Sequence, residues 1–220
     1  MSGKDATPSR VEARRAAAAA GILEAAWELV REQGLAGLTM RDLGSRSGMK
    51  AQSLYSYFPS KHAIYDAMFA QGYREFAEWM AFGSEQASSD GRAPRAEAVR
   101  NAHRYVEFCV SDPVRFQLLF LRTIPGFEPS PASYAVAIDV LEQVTAQLAE
   151  IGVRGAKHVD MWTAVMTGLA SQQIANDLGG NRWARLVDDA VDMLLAHTGR
   201  TPTPGRTSAG RSTTRSRSTR

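Results

Sequence analysis

The amino-acid sequence predicts an all-α protein, with an N-terminal three-helix unit that contains a helix-turn-helix and a larger helical unit after it. Apolar residues recur along nearly the whole chain at the spacing of one helix face. Glycine and proline fall mainly between these periodic stretches, where helices end. At 220 residues, 44% hydrophobic and 22% charged, the chain is long enough to bury a sizeable core in one or two domains.

The first predicted helix runs from about residue 11 to residue 33. Within it, Ile22, Ala26 and Leu29 recur at helical spacing and share one face. Gly34 follows the last periodic residue and is a natural C-terminal stop, because glycine adopts the left-handed backbone conformation at little cost. The preceding residues, 1–10, are predicted to be disordered.

A second, short helix is predicted to begin near Met40, because several start signals coincide there. The Thr39 hydroxyl can cap the helix, and Asp42 stands at the position that usually carries the glutamate of a capping box. Leucines at 38 and 43 occupy the two positions of a hydrophobic staple. The sequence "SRSG" ends this helix at Gly48.

The third predicted helix starts near Lys50 and closes at Phe58 and Pro59, and it has two different sides. Leu54 and Phe58 share an apolar side, whereas Gln52 and its serine neighbours point away. Two short helices joined by a tight glycine turn are typical of a helix-turn-helix, whose second helix lies in the major groove of DNA. A plain three-helix bundle with a solvated face is the alternative.

The remaining elements are also predicted to be helical. Ser60 can cap a fourth helix that runs to about residue 82, and a Gly/Ser-rich break follows at 82–94. The next helix ends at Asp112, "VRFQLLFL" predicts a short helix, and "RTIPGFEPSP" predicts a proline-rich loop. The last three helices are expected at about 132–151, 155–177 and 182–197.

The charges are unevenly distributed along the chain. The first 61 residues carry nine Lys/Arg against six Asp/Glu, and residues 199–220 carry six arginines and no acid. The net charge of +3 therefore conceals an acidic middle between two basic ends, which favours a polyanion-binding N-terminal unit. The tail at 199–220 is rich in Ser, Thr and Arg, so it is predicted to be disordered.

Several classes of protein are disfavoured by the composition. The single cysteine excludes an intrachain disulfide and suits a reducing cytoplasm, which is the predicted location. Neither a membrane span nor a signal peptide is evident. The four histidines lack metal-ligand spacing, and no glycine-rich phosphate loop is present. We therefore expect no enzyme, no cofactor, no metal and no membrane partner.

Residues 11–69 resemble the DNA-binding domain of the TetR family of bacterial transcription regulators. The resemblance rests on "GLTMRDLGSRSGMKAQSLYSYFPSKHAIYDAM", from the helix start through the glycine turn to the entry of the fourth helix. It implies a DNA-binding domain at 11–60 and a helical ligand-binding and dimerisation domain at 61–198.

The resemblance also implies ten DNA-contacting residues. Those that match phosphate-contacting positions are Thr39, Met40, Arg41 and Lys61. Those that match base-facing positions are Lys50, Ala51, Gln52 and Ser53, and Tyr55 and Tyr57 match positions that touch phosphate or base edges. Lys50 and Gln52 can read guanine and adenine edges, whereas Ala51 offers at most a methyl contact to thymine. Packing, with only the hydroxyl at phosphate, is the alternative for Tyr55.

A small-molecule pocket between the middle helices is a further implication of the resemblance. The candidate residues are Tyr105, Phe108, Cys109, Phe116, Phe120, Phe127, Tyr134, Met161, Trp162 and Met166. A filled core is the alternative for each of them. "MWTAVMTGLASQQ" also resembles a subgroup in which a His-Gly pair follows the tryptophan, but here Thr167 replaces that histidine.

A homodimer through the last two long helices is predicted, because each helix presents an apolar stripe. The stripe residues are Val159, Trp162, Met166, Leu169, Leu186, Ala190, Met193 and Leu194. The predicted function is a repressor that binds a palindromic operator in double-stranded DNA and is released by a small apolar or aromatic effector. The alternatives are an enzyme or small-molecule carrier that uses the C-terminal pocket, and a non-specific nucleoid-type DNA binder.

Overall fold

The computed structural model describes residues 9–81 and 94–198, and this part of the chain is helical with no strand. The N-terminal helices are α1 (Arg10–Gly37), α2 (Met40–Arg46), α3 (Ala51–Leu54) and α4 (Lys61–Ala81). The C-terminal helices are α5 (Pro94–Ser111), α6 (Pro113–Phe120), α7 (Pro131–Glu150), α8 (Ala156–Asn176) and α9 (Val187–Thr198), with a 3₁₀ turn at Ala184–Leu186 before α9. The all-α prediction is confirmed for these residues.

The disorder predicted at 1–10 is wrong for its last two residues, because α1 already begins at Arg10. Ser9 forms a complete capping box there: the Glu12 amide donates to its Oγ at 3.3 Å, and its own amide donates to Glu12 Oε2 at 2.7 Å. The disorder predicted for residues 1–8 and for the tail, and the break predicted at 82–93, lie outside the described residues.

Gly34 does interrupt the first helix, but the chain then makes one more turn. Its backbone has φ +75° and ψ 167°, and α1 continues on the far side of this bend to Gly37. The bend places the Leu35 carbonyl where the buried Tyr65 hydroxyl donates to it. Burial raises the pKa of Tyr65 to about 12, so this hydroxyl remains a donor at neutral pH.

Two glycines allow α2 and α3 to approach closely. Gly48 takes the positive φ of +66° that the turn requires. Gly44 packs against the turn itself: the Met49 amide donates to its carbonyl at 2.8 Å, and an added Cβ would lie 2.8 Å from the Met49 carbonyl oxygen. A side chain at position 44 would therefore push the two helices apart.

We expect Gly44→Ala to lower the free energy of unfolding by about 1–3 kcal/mol, because the new methyl group overpacks a backbone contact. Gly21→Ala is the matched control, since an added Cβ there meets no atom within 4 Å and alanine favours the helix by up to about 1 kcal/mol. Urea denaturation of both variants measures the difference. Equal stabilisation by both alanines would contradict the close approach.

The α3 helix is shorter than predicted. Regular helix covers only Ala51–Leu54, and a turn follows in which the amides of Tyr57 and Phe58 both donate to the Leu54 carbonyl. Proline at 59 has no amide hydrogen and disfavours a helical residue before it, so the helix cannot continue through Phe58.

The fourth helix belongs to two hydrophobic cores. Its first half packs with α1–α3 through Ile64, Tyr65 and Met68, and Leu118 of α6 joins the same cluster. Its second half packs with α5, α6 and α7 in another cluster through Phe69, Phe76 and Met80. No helix in 9–81 or 94–198 is long and apolar enough to cross a membrane.

Candidate nucleic-acid interface and apolar cavity

The outer side of α3 presents polar side chains to solvent. Lys50, Gln52 and Ser53 are exposed there, and Tyr55, directly after the helix, is 51% exposed. The side chains of Lys50 and Gln52, and that of Arg41 on α2, make no hydrogen bond or ion pair within the described residues. These three side chains can therefore meet another molecule without breaking a contact within the chain.

Three other residues predicted to contact DNA face inward or are already bonded. The Thr39 hydroxyl accepts from the Asp42 amide at 3.1 Å and donates to the Asp42 carboxylate at 2.6 Å, so it is occupied as the cap of α2. Met40 is half-buried against the N-terminal core. Ala51 is half-buried as well, with its backbone against Gly44.

Tyr57 and Lys61 lie at the edges of the same surface. The Arg15 guanidinium lies over the Tyr57 ring, 5.5 Å from its centroid, and donates to the Ser56 carbonyl at 2.6 Å. The Lys61 ammonium lies 3.5 Å from the Ala36 carbonyl and 5.6 Å from the centroid of the Tyr65 ring. Sequence reasoning did not assign Arg15 to this surface, because its hydrogen-bond partner Ser56 is 41 residues away along the chain.

Arg46 contributes little free positive charge to this surface. Its guanidinium is bound by Glu32 at 2.5 Å and 2.9 Å and by Glu28 at 3.3 Å. These hydrogen bonds raise the pKa of Arg46 and lower that of Glu32. Of the basic residues on α2 and beside α3, Arg41 and Lys50 are therefore the ones with unbalanced charge.

A cavity of about 220 Å³ lies between α4, α5, α7 and α8. Five of the ten predicted pocket residues line it: Tyr105, Phe120, Tyr134, Trp162 and Met166. The other five do not. Phe108, Cys109 and Phe116 are fully packed, Phe127 packs on His62 and Tyr65, and Met161 packs among α5, α8 and α9. The filled-core alternative holds for Phe108, Cys109 and Phe116.

Most of the remaining lining comes from residues of α4 and α7 that sequence reasoning did not assign to the pocket. The α4 residues are Tyr73, Phe76 and Met80, and the α7 residues are Ala137, Ile138, Val140, Leu141, Val144, Gln147 and Leu148. The available signal was that α7 carries apolar residues on more than one face, which a helix facing only one neighbour does not need.

The polar side chains that line the cavity are neutral. The hydroxyls of Tyr105 and Thr167 lie 2.7 Å apart, so threonine at this position bonds a residue of the cavity wall. The Tyr73 hydroxyl donates to the Leu119 carbonyl at 3.1 Å. Burial raises the pKa of the Cys109 thiol to about 12, which keeps it protonated and unreactive as a nucleophile at neutral pH.

One carboxylate ties the start of α7 to α4. Asp66 accepts hydrogen bonds from the Ser130 amide at 2.6 Å, from the Ser130 hydroxyl at 2.8 Å and from the Ser133 hydroxyl at 2.8 Å. Asp66 lies within the half of α4 that packs with the N-terminal helices. A cavity-lining helix is thus bonded to the helix that supports α3.

The chain itself covers most of the predicted dimer residues. Val159, Trp162, Met166, Ala190 and Leu194 are buried among α5, α8 and α9. The premise that each helix has more apolar surface than its own chain can cover is therefore wrong for these five. Leu169 and Leu186 are half-buried, and Met193 is 57% exposed.

A different face of α8 is open. Ala164 and Gly168, one turn apart, are exposed, and a Cβ added at Gly168 would meet no atom within 4 Å. Glycine inside a helix costs up to about 1 kcal/mol relative to alanine, and no contact within the described residues requires it here. Sequence reasoning could have found this position from the glycine alone.

No group of three or more His, Cys, Asp or Glu side chains among the described residues is placed to hold a metal ion.

Comparison with known proteins places the N-terminal helices in a family. Residues 22–68 match the family model described as "Bacterial regulatory proteins, tetR family". The chain is also 26% identical over 112 residues to the HTH-type transcriptional regulator Rv1816 of Mycobacterium tuberculosis. That match covers 51% of this chain and 47% of the relative, so this chain spans about half the length of the relative it matches.

Solved structures share most of the helical arrangement. SCO4313, described as a regulatory protein, has a TM-score of 0.69 and 21% identity, with 86% of this chain and 100% of that chain covered. AibR, solved with isovaleryl coenzyme A and operator DNA, has a TM-score of 0.56 and 16% identity, with 81% and 98% covered. At these identities the likeness establishes the fold. The family match covers residues 22–68, so it is in its N-terminal helices that this chain is similar to the tetR family of bacterial regulatory proteins.

Proposed function

We propose that this protein is a homodimeric, ligand-responsive transcription regulator: a cytoplasmic repressor, without enzymatic activity, that leaves its operator when a small molecule enters the C-terminal cavity. The observation that carries the proposal is the exposed outer side of α3, where Lys50 and Gln52 have no partner within the described residues. The match of residues 22–68 to the tetR family model supports it, and so does the similarity to a relative that is a transcriptional regulator. The domain limits 11–60 and 61–198 are part of this proposal.

In the proposed complex, α3 enters the major groove. Gln52, Ser53 and Lys50 read base edges, and Tyr55 and Arg41 contact the flanking backbone. The edge of this surface contacts the DNA backbone through Thr39, Met40, Tyr57 and Lys61. The Thr39 hydroxyl stays bonded to Asp42, so the remaining donor at this end of α2 is the backbone amide of Met40. Ala51 contributes mainly through its fit against Gly44.

Release would work through the bond between α7 and α4. A ligand that moves α7 shifts Ser130 and Ser133, and Asp66 transmits the shift to α4 and from there to α3. Two recognition helices must stand about 34–36 Å apart to read a palindromic site, so a small tilt in each protomer weakens both half-sites.

A mobility-shift assay with the DNA upstream of the protein's own gene tests the proposal. We expect a complex that unrelated DNA does not displace at equal concentration. Displacement by any DNA would favour the non-specific nucleoid-type binder, and no complex at all would favour the enzyme or carrier.

For the dimer, we propose that α8 meets its counterpart in the partner through the face that contains Ala164 and Gly168, with Met193 of α9 at its edge. Gly168→Leu is expected to weaken dimerisation about 5- to 150-fold, because overpacking a helix contact costs about 1–3 kcal/mol. Since leucine favours the helix over glycine, the fold itself should not be lost.

Sedimentation over a range of concentrations measures this effect. Glu107→Leu, an exposed position on α5, is the control and should leave the dimer intact. A Gly168→Leu dimer as tight as the wild type would place the interface elsewhere. A wild-type monomer with intact specific DNA binding would remove the dimer from the proposal.

A further inference from the structure

The cavity extends along most of α7, from Tyr134 to Leu148. At 1.5 Å per residue this lining covers about 21 Å, while the cavity volume is only about 220 Å³. A space this long and this small in volume is narrow. It suits an extended chain better than a fused ring system.

The exposed apolar residues of α7 form one side of this space. Tyr134, Ile138 and Leu141 are 54%, 42% and 53% exposed, and all three line the cavity. Their spacing of four and three residues places them on one stripe of the helix. The cavity therefore opens towards solvent along α7, which gives an apolar ligand a route of entry.

No side chain that lines the cavity within the described residues is charged. The walls are aromatic and aliphatic, and their polar groups are hydroxyls, amides and the indole N–H of Trp162. Moving a carboxylate, ammonium or phosphate into this space, away from the opening along α7, removes its hydration without supplying an opposite charge, which is strongly unfavourable. The lining therefore selects against charged ligands.

Two amides stand at the end of the cavity furthest from α3. Because Asp66 near the start of α4 bonds the start of α7, the two helices run in the same direction, and Met80 and Gln147 reach the same end. Asn101 of α5 joins them in the lining. The side chains of Asn101 and Gln147 make no hydrogen bond within the described part of the chain, so each can bond a ligand.

From these four observations, we propose that the effector is an uncharged aliphatic chain of medium length with one neutral hydrogen-bonding group, which Asn101 and Gln147 hold. This inference rests on the proposed function and names the ligand class of its cavity. It separates this chain from AibR, which was solved with a coenzyme A thioester whose phosphates are charged.

The test compares three probes of one chain length, 1-decanol, decanoate and decylammonium, by calorimetry on the full chain at pH 7.5 without DNA. We expect 1-decanol to bind at least about tenfold more tightly than either charged probe. Equal or tighter binding of decanoate or decylammonium would overturn the inference, and so would a failure of 1-decanol to bind.

A matched pair of variants tests the amide end. Gln147→Leu should weaken 1-decanol binding several-fold, because it removes the hydrogen-bonding group while keeping the side chain's bulk. Gln143→Leu, one turn earlier on α7, exposed and outside the lining, should leave the affinity unchanged. Equal affinities in both variants would refute the role of Gln147. The calorimetry contains no DNA, so it tests the ligand class alone. A protein that binds 1-decanol there but keeps its operator in a DNA-binding assay would count against the proposed function and not against the ligand class.

Discussion

Replacing either Gln52 or Ser53 by alanine is expected to reduce the preference for operator over unrelated DNA by about 5- to 150-fold. Each good base contact contributes about 1–3 kcal/mol of discrimination, and both side chains are exposed on the outer side of α3. Neither side chain packs in the core, so stability should change little. Fluorescence anisotropy with the operator and with a scrambled duplex measures the ratio.

Lys61→Ala provides the contrasting variant. Its ammonium is assigned to phosphate, so its loss should weaken binding to both duplexes about equally and reduce the salt slope by about 1. If the two alanine variants at 52 and 53 kept the full preference, α3 would not be the reading helix. If Lys61→Ala changed the preference rather than the salt slope, the assignment of Lys61 to phosphate would be wrong.

The second large effect concerns the communication between the cavity and α3. Asp66→Asn is expected to bind operator with near-normal affinity but to lose most of its response to ligand. An amide cannot accept all three hydrogen bonds from Ser130 and Ser133, so a shift of α7 no longer carries α4 with it. Couplings of this kind amount to about 1–3 kcal/mol, which corresponds to about 5- to 150-fold in affinity.

The measurement is a titration of operator with protein, with and without saturating 1-decanol, followed by the reciprocal titration of ligand with and without operator. Linkage requires the same factor in both directions. Asp139→Asn, an exposed carboxylate on α7, is the matched control. A full response in Asp66→Asn would show that coupling passes through other contacts, such as the ion pair of Arg31 Nε with Asp112 at 2.9 Å.

Capping signals in the sequence predicted where two of the helices begin. The start of α2 at Met40 and of α4 at Lys61 follow from Thr39 and Ser60, whose hydroxyls accept amides three residues on. The same reasoning applied to Ser9 and Glu12 would have placed the start of α1 correctly, because the capping box is visible in the sequence.

Sequence reasoning missed the features that depend on which helix packs against which. Periodicity identifies an apolar face but not its neighbour, so Trp162 was assigned to a dimer surface that α5 and α9 of the same chain occupy. A cavity forms where no side chain fills the space between helices, and the sequence does not show which residues border that space. Phe108 and Phe120 therefore look alike in sequence, although only Phe120 lines the cavity. Asp66 bonds a residue 64 positions away, and such pairs leave no local pattern.

The division of α4 between two cores has a consequence for folding. A fragment that stops at residue 60 would lack Ile64, Tyr65 and Met68, and even one that stops at residue 81 would lack Leu118, so its apolar interior would stay open to water. The N-terminal helices therefore gain part of their stability from the helices behind them, and both cores should unfold in one cooperative transition. An operator-binding unit cut from this chain would need a substitute for α6, whereas a transplant into another regulator would have to carry α4 and its packing partners together.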